Sequence, residues 1–342
     1  MAVTINGTTG IDKVQDGTIV TADIADSNIT TAKIAADAVT ASKLNVGQLS
    51  HRNLIINGAM QVAQRGTSFT NTTGYQIDRW FVANPGTNTV NQVFDTTLNM
   101  YCMSVTQSVG YGTVYRIEDK DVKHLKAGDV VTLSYWINVT SGDFRVSTTA
   151  TSQVSVSTTT IDTATGWYRR SASYTLTSSE VAAITGGSYL QINIEPAATS
   201  YKLTGVQLEV GSEATPFEHR SYADELQRCM RYYYQLGPYT NQYEVIFMPT
   251  WATSTTTQQL GFNFPVKMRA APTITHNGVS EFRVNDNLQH DEVCNYILFS
   301  QIRPERSMAT FGKASANLNV GYSGYINTNN YTSATIYIDA EL

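Results

Sequence analysis

Charged residues are scarce in this sequence, and the few that occur are scattered along it. They make up 15% of the 342 residues, and 23 lysines and arginines stand against 28 aspartates and glutamates. An average globular protein carries roughly 25% charged residues. Because no basic run is present, no segment is suited to neutralising a phosphate backbone, and we expect no nucleic-acid partner.

Cysteine and histidine are also rare, and neither is clustered. The 3 cysteines are an odd number at wide spacings, which fits neither a disulfide framework nor a metal-ligand cluster. The 5 histidines show no H-x-x-x-H pairing, and no C-x-x-C pair occurs. A Gly-x-Ser-x-Gly nucleophile turn and a phosphate-binding glycine loop are missing as well. We therefore expect a reduced protein with no metal and no cofactor.

The beginning of the sequence has none of the features of a targeting segment. Residues 1–6 lack the basic start and the apolar core of a secretory signal. The chain also has no stretch of about 18 apolar residues, the length needed to span a bilayer. We expect a protein that is made in the cytoplasm, is not exported by a signal peptide and is not inserted in a membrane.

A strict apolar repeat of five residues occupies the first fifty positions. A step of five turns an α-helix through about 500° and sends successive residues to opposite faces of a strand, so neither element accounts for it. No aromatic residue precedes Phe69, so this arm has no conventional core of its own. The repeated residues are Val14, Ile19, Ile24, Ile29, Ile34, Val39, Leu44 and Leu49.

Two architectures bury every fifth residue. A single chain can coil as a square solenoid with four pentads per turn, or three chains can direct each apolar residue to a shared threefold axis. Eight pentads make only about two solenoid turns, whereas repeat stacks need roughly three units. We therefore favour a homotrimer joined along this arm, and a disordered low-complexity leader is the remaining alternative.

Short runs rich in Val, Ile, Tyr, Trp and Thr dominate the rest of the chain and are typical of β-strands. We predict a mainly β protein in which residues 51–220 form a jelly-roll-like sandwich and residues 238–342 a terminal β-sandwich. Apolar residues three and four apart predict a short helix over Tyr222–Gln235, within a linker of residues 221–237. The predicted strands are Tyr75–Val82, Tyr101–Thr106, Val130–Val139, Trp167–Leu176, Tyr189–Ile194, Lys202–Val210, Val245–Met248, Gln258–Phe264, Tyr296–Ile302, Asn317–Ile326 and Ala334–Ala340.

Several short sequence motifs occur here in an order that one group of proteins shares. These segments are Thr4–Ile11, the pentads of the form Ile29–Ile34, Asn53–Gly58 with Gln64–Gly66, Leu203–Gly211, Thr215–Tyr222 and the later Phe264–Thr273. In these motifs the chain resembles bacteriophage tail fibre proteins, and the resemblance covers most of residues 1–235. The rest of the terminal block carries no such resemblance.

The resemblance implies a trimeric fibre of the virion that is made in the host cytoplasm and released by lysis. Residues 1–50 would be an arm held by phage tail or baseplate proteins, residues 51–220 a carbohydrate-binding-module-like sandwich, and residues 238–342 the receptor-binding tip. The implied partner is a polysaccharide or lipopolysaccharide of the host surface. We expect attachment without catalysis. A glycan-degrading fibre, and a passive fibre segment whose receptor tip is another protein, are the alternatives.

Two groups of acidic residues are candidates for glycoside hydrolysis, which needs two facing carboxylates about 5–9.5 Å apart. Glu209 can pair with Glu218, and Asp286 can pair with Asp291 or Glu292. We expect Glu218 to form a local ion pair with a neighbouring arginine and the Asp286 group to lie in a solvated loop. We therefore predict no catalytic residue.

Aromatic residues beside amides are the candidates for glycan contact, since sugar rings need flat apolar faces and their hydroxyls need planar polar groups. Residues 321–332 hold three tyrosines and three asparagines, and we predict a hairpin whose tip binds the glycan. An ordinary polar loop with Tyr322 in the core is the alternative. The other three tryptophans besides Trp251 follow strand patterns typical of a core. The predicted glycan contacts are Trp251, Tyr325, Asn327, Asn329, Asn330 and Tyr331.

Overall fold

The structure is a computed structural model of the chain. It describes residues 51–342 except residues 84–85, 109–111, 140–142, 149–153, 187–188, 196–199, 240, 242, 287, 289 and 330–333. The pentad residues from Val14 to Leu49 lie outside the described residues, as do Asn330 and Tyr331. The homotrimer and its attachment to a tail therefore stay predictions.

The first part of the described chain is a β-sandwich of two antiparallel sheets, as predicted. Its strands are β1 (Ser68–Thr70), β2 (Gly74–Tyr75), β3 (Trp80–Val82), β4 (Asn88–Asp95), β5 (Met100–Gln107), β6 (Thr113–Ile117), β7 (Val130–Ile137), β8 (Asp143–Thr148), β9 (Val154–Val156), β10 (Thr159–Ala164), β11 (Trp167–Thr175), β12 (Leu190–Glu195) and β13 (Ser200–Val210). One sheet has the order β1-β4-β5-β13-β7-β11-β10 and the other β2-β3-β6-β12-β8-β9. Two short helices, α1 (Asp119–Val122) and α2 (Ser178–Thr185), connect strands.

Apolar side chains that alternate along these strands meet between the two sheets and form the first core. Trp80 lies there with its ring centroid 4.8 Å from that of Tyr115, and Trp167 is buried as predicted. The core prediction is wrong for Trp136, which is only half-buried. Its neighbours Tyr135 and Ile137 take the inner face of β7, and strand alternation sends Trp136 to the outer face.

The second part of the described chain is another β-sandwich with its own core. Its strands are β14 (Tyr233–Leu236), β15 (Val245–Ala252), β16 (Thr257–Asn263), β17 (Thr273–His276), β18 (Phe282–Asp286), β19 (Glu292–Val293), β20 (Tyr296–Ser300), β21 (Arg306–Gly312), β22 (Ser323–Thr328) and β23 (Ile336–Asp339). A seven-stranded antiparallel sheet has the order β19-β18-β22-β15-β16-β21-β20, and it packs on a three-stranded sheet β14-β23-β17. Phe282, Phe311 and Ile338 are fully buried between the sheets.

The predicted linking helix is present but shorter. Helix α3 spans Tyr222–Met230 and is capped at its N-terminus by Ser221, whose hydroxyl accepts a hydrogen bond from the Asp224 N–H. The prediction that the helix reaches Gln235 is wrong, because Tyr233–Leu236 form strand β14 and pair with β23. Consecutive tyrosines favour a strand, and this pairing buries Tyr233. No helix among the described residues has the length and apolarity needed to cross a membrane.

Two predicted strands also differ from the structure. Tyr75–Val82 is divided into β2 and β3 by a turn in which Arg79 has a φ of 72° and the Trp80 N–H donates to the Ile77 carbonyl. Asn317–Ile326 becomes a strand only from Ser323, because Gly321, with a φ of 85°, turns the chain before it. Both turns use backbone conformations with positive φ, which apolar periodicity does not reveal.

The two sandwiches meet at a buried junction of paired charges and aromatic rings. The Arg79 guanidinium forms an ion pair with Glu341 and lies 3.6 Å from the centroid of the Tyr232 ring. Arg65 lies 3.6 Å from the Tyr233 ring and forms an ion pair with Asp339 at 3.1 Å. Because each buried cation has both an anion and an aromatic face, the junction holds the last residues of the chain against the first sandwich.

Candidate functional site

Most of the predicted hairpin tip is part of a sheet. Residues Ser323–Thr328 form β22, which lies between β18 and β15 in the interior of the seven-stranded sheet. Tyr325 is half-buried and Asn327 is 4% exposed. The prediction of an exposed tip is therefore wrong for these residues. Backbone pairing on both sides decides the conformation, because a central strand satisfies more backbone donors and acceptors than a free tip does.

Asn329 is used inside the fold as well. Its side-chain oxygen accepts a hydrogen bond from Arg283 Nη1 at 3.0 Å, and its side-chain nitrogen donates to the Ser280 carbonyl at 2.9 Å. It is 9% exposed. Tyr322, which the alternative interpretation put in the core, is instead one of the exposed aromatic residues. The described part of the hairpin therefore has little amide surface left for a sugar.

Trp251 is the predicted candidate that the structure presents at the surface, with 47% of its area exposed. Its neighbours on β15, Thr250 and Ala252, point into the core, so strand alternation turns the indole outward. The Thr250 hydroxyl donates to Gln258 Oε1 at 2.6 Å, which ties β15 to β16 beneath the indole. Trp251 is also paired on both sides, with Gln259 and with Ser323. The indole is therefore carried by a fixed backbone in the middle of a sheet.

An open recess of about 210 Å³ lies beside the indole. Its wall residues come from four separate stretches of sequence, and they are Trp251, Gly261, Gln301, Arg306, Ser307 and Met308. Gly261 and Met308 are partners across β16 and β21. No atom lies within 4 Å of the position that a Cβ at Gly261 would take, so this glycine leaves the recess open.

The charge around this recess is positive. Arg306 is the charged residue of its wall, and the acid beside it, Glu305, forms an ion pair with Lys267. The hydrogen bond from Lys267 holds the pKa of the Glu305 carboxyl below its usual value. The wall thus combines an aromatic face, an amide and a guanidinium, which are groups that sugar recognition uses, while the Ser307 hydroxyl is buried and donates to the Ser300 carbonyl at 3.3 Å.

The outer face of the same sheet carries further exposed apolar side chains. Met248 is 73% exposed and Leu298 is 57% exposed, and Tyr296 and Val245 are exposed too. Exposed apolar residues that occur singly are ordinary on a protein surface, so these side chains by themselves do not indicate a binding site.

A second recess, of about 280 Å³, lies on the first sandwich where β4 begins and β5 ends. Its wall consists of asparagine, threonine, glutamine and serine residues between Asn71 and Ser108, and no aromatic residue contributes to it. Since the apolar side of a sugar ring packs on aromatic faces, the recess beside Trp251 is the better candidate for glycan contact.

The carboxylates of the first candidate pair are engaged in local hydrogen bonds. Glu209 accepts from the Thr215 N–H at 2.9 Å and from the Thr215 hydroxyl at 2.7 Å. Glu218 accepts from the backbone N–H groups of His51 and Asn53, each at 2.9 Å, and lies 3.7 Å from Arg220. Burial raises the pKa of Glu218, but these hydrogen bonds and Arg220 outweigh it and lower the pKa below its usual value.

The Asp286 group differs from the solvated loop that we predicted. Asp286 is buried, and it accepts hydrogen bonds from the backbone N–H groups of Leu288 and His290 and from His290 Nδ1 at 2.8 Å. Asp291 forms an ion pair with Arg283 at 2.7 Å, and Glu292 accepts from a backbone N–H. The loop closes around Asp286 because its backbone donors converge on one carboxylate. The described residues contain no group of His, Cys, Asp and Glu arranged to hold a metal ion.

Comparison with known proteins gives a likeness of low similarity. No family profile matches the sequence, and no curated protein is significantly similar to it. The CBM22-1 xylan-binding domain of Paenibacillus barcinonensis Xyn10C has 15% identity and a TM-score of 0.29, over 43% of this chain and 94% of that one. The enzymatically active domain of tailspike protein 4 of bacteriophage CBA120 has 11% identity and a TM-score of 0.27, over 46% of this chain and 21% of that one. A likeness at this level assigns no function to the chain.

Sequence reasoning identified Trp251 but missed the rest of its recess. Gly261, Gln301, Arg306 and Met308 are ordinary residues in the sequence and belong to no motif. They come together only through the pairing of β16 with β21 and the turn that precedes β21. The one signal that pointed to this place was that Trp251 lies outside the strand patterns of the other three tryptophans.

Proposed function

We propose that this protein is a bacteriophage tail fibre that attaches the virion to a glycan of the host surface, and that the recess beside Trp251 binds the glycan. The observation that carries the proposal is the exposed indole on a fixed strand, next to an open recess whose mostly apolar wall also holds Gln301 and Arg306. The resemblance of residues 4–11, 53–58 and 203–222 to tail fibre proteins supports the viral role.

Trp251 supplies the contact that the proposal needs. Stacking of a sugar ring on an aromatic face contributes about 0.5–1.5 kcal/mol beyond burial, judged by analogy with aromatic pairs. That corresponds to about a two- to tenfold gain in affinity for one site. A single site is weak, so the proposal also needs several sites to act together.

The homotrimer supplies those several sites. The apolar repeat of the first fifty residues favours three chains around one axis, and the arm they form is the part held by phage tail or baseplate proteins. Three linked copies raise the effective concentration of each tip near the cell surface, which turns weak contacts into firm attachment. Light scattering on the full-length chain tests this arrangement, and a monomer would contradict it.

The proposed attachment is not catalytic. Glycoside hydrolysis needs two carboxylates at the sugar, and the wall of the recess contains neither Asp nor Glu. Glu209 and Glu218 are already engaged with backbone and hydroxyl donors. Incubation of host surface polysaccharide with the protein should leave its chain length unchanged, and shortened chains would favour the glycan-degrading alternative.

Two substitutions test the recess from opposite directions. Trp251→Ala removes the stacking face, and Gly261→Leu fills the recess, which has room for the new side chain. We expect both variants to fold and to lose adsorption to host cells. Leu298→Ala is the matched control, because Leu298 is exposed on the same sheet but is absent from the wall of the recess.

The outcomes separate the candidate functions. Normal adsorption by both folded variants would exclude this recess as the attachment site. A full-length chain that does not bind host cells at all would favour the passive fibre segment, in which another protein carries the receptor tip. An equal loss in Leu298→Ala would indicate that the whole apolar face, rather than the recess, makes the contact.

A further inference from the structure

We infer that the glycan bound beside Trp251 is anionic, and that Arg306 binds its carboxylate or phosphate group. The inference rests on the proposed function and deepens it by naming the class of glycan. It depends on three observations about Arg306: its place in the wall of the recess, its lack of an ion-pair partner among the described residues, and the charges around it.

Arg306 lies at the rim of the recess and is held by its backbone. It is the first residue of β21, where it pairs with Asn263 of β16, and it is exposed to solvent. Strand β21 pairs with β16, and β16 pairs with β15, which carries Trp251. Strand pairing therefore sets the position of the Arg306 backbone relative to Trp251. The guanidinium therefore extends from a fixed base beside the aromatic face.

Arg306 forms no ion pair within 4 Å with a carboxylate in the described part of the chain, although its charge contributes to the lowered pKa of Glu305. The nearest acid in sequence, Glu305, is paired with Lys267, with 2.5 Å between Nζ and Oε1. Arg303, in the turn that precedes Arg306, is exposed and forms no ion pair with a described residue either. The turn thus presents two arginines, and its one carboxylate is paired with Lys267 from another segment, in a chain whose formal net charge is −5.

A guanidinium in this setting favours an anion over a hydroxyl. Its planar N–H groups match the two oxygens of a carboxylate or phosphate and bind them with paired, charge-assisted hydrogen bonds. Such a bond is worth more than a bond between neutral groups, by about tenfold or more in affinity. The recess wall contains no carboxylate that would repel the anion. An acidic sugar that stacks on Trp251 would therefore use both groups at once.

The test uses surface polysaccharide extracted from the host in three forms: untreated, carboxyl-reduced and dephosphorylated. Binding of the full-length protein to each form is measured by calorimetry at one salt concentration. We expect strong binding to the untreated form and about tenfold or greater weakening in one treated form, which identifies the anion as carboxylate or phosphate. Equal affinity for all three forms would overturn the anionic inference and leave the proposed function intact. No binding to the untreated form would overturn the proposed function itself.

Substitutions show whether Arg306 makes the contact. Arg306→Gln should weaken binding to the untreated form and abolish the difference between the forms, whereas Arg306→Lys should retain part of it because the charge remains. Arg303→Gln is the matched control, since it removes one charge from the same turn but does not alter the wall of the recess. An equal effect of Arg303→Gln and Arg306→Gln would show a diffuse charge effect and would refute a specific contact with Arg306. Unchanged thermal unfolding establishes that each variant is folded.

Discussion

Asp78 lies buried at the junction of the two sandwiches, where its charge should make stability depend on pH. Its carboxylate is 1% exposed and accepts hydrogen bonds from the backbone N–H of Gln64 at 2.9 Å and from Gln64 Nε2 at 2.5 Å. Burial raises the pKa of Asp78 from 3.8 to about 6, and Arg65, 3.9 Å away, only partly opposes this effect. Asp78→Asn removes the titration while keeping the size of the side chain.

The sign of the effect follows from the raised pKa. Between the unfolded value of 3.8 and the folded value of about 6, the folded protein binds more protons at Asp78 than the unfolded chain does. The free energy of unfolding should therefore fall as pH rises through this window and level off above it. Each pKa unit corresponds to about 1.4 kcal/mol, so a shift of about two units amounts to about 3 kcal/mol.

Urea unfolding of the full-length chain, followed by the fluorescence of the buried tryptophans, measures this difference. Wild type and Asp78→Asn are compared at several pH values from about 4 to about 7, so that all groups common to both proteins cancel. We expect the wild type to lose about 2–2.5 kcal/mol relative to the variant across this range, because the rest of the effect lies below pH 4. A difference between the two proteins that does not change with pH would refute the argument.

Asp95 provides a control with the opposite sign. Burial raises the pKa of Asp95, but backbone hydrogen bonds from Leu98 and Thr97 and the bond from Lys202 outweigh it and lower the pKa below its usual value. Stability from Asp95 is present above its unfolded pKa and is lost as pH falls through the folded value. The difference between wild type and Asp95→Asn should therefore grow with pH below the unfolded value of 3.8 and stay level over the range in which that for Asp78→Asn shrinks.

Two further substitutions test the packing that the structure shows. Gly324→Ala would place a Cβ 2.1 Å from Gln258 Nε2 and 2.3 Å from the Asn285 carbonyl oxygen, so we expect a loss of about 1–3 kcal/mol and a lower Tm in calorimetry. An unchanged Tm would show that β22 does not approach β18 this closely. Arg79→Met leaves the buried Glu341 with Arg65, 3.4 Å away, as its remaining cation, and we expect a loss of about 1–3 kcal/mol in urea unfolding at neutral pH. A loss below about 0.5 kcal/mol would mean that Arg65 alone compensates the carboxylate.

Local sequence patterns predicted most of the elements but not all of their ends. The β-strand class, the two sandwiches and the start of α3 at Tyr222 follow from residue preference and apolar periodicity. The end of α3 does not follow from these patterns. Tyr233 has the spacing of a helical residue, but in the structure its backbone forms hydrogen bonds with strand β23 instead. Strand pairing with a segment one hundred residues away is a contact that a local pattern does not contain.

Burial of single residues was predictable only where strand alternation was clear. Trp80 and Trp167 are in the core as predicted, while Trp136 is displaced to the outer face by its neighbours. The asparagine-rich segment around Asn327 is typical of a loop, yet Asn327 lies in strand β22, which is central between β18 and β15. Composition reports the preference of a residue by itself, whereas burial depends on which strands cover it.

The sequence by itself determined that the chain is β-rich, that its first fifty residues repeat every five positions, and that Trp251 stands apart from the core patterns of the other three tryptophans. Those properties depend on neighbours a few positions apart. The tertiary structure alone decided that Gly261, Gln301 and Arg306 surround that indole. They do so because the register of β16 with β21 brings distant residues side by side, and register is set by which faces of the whole sheet are buried.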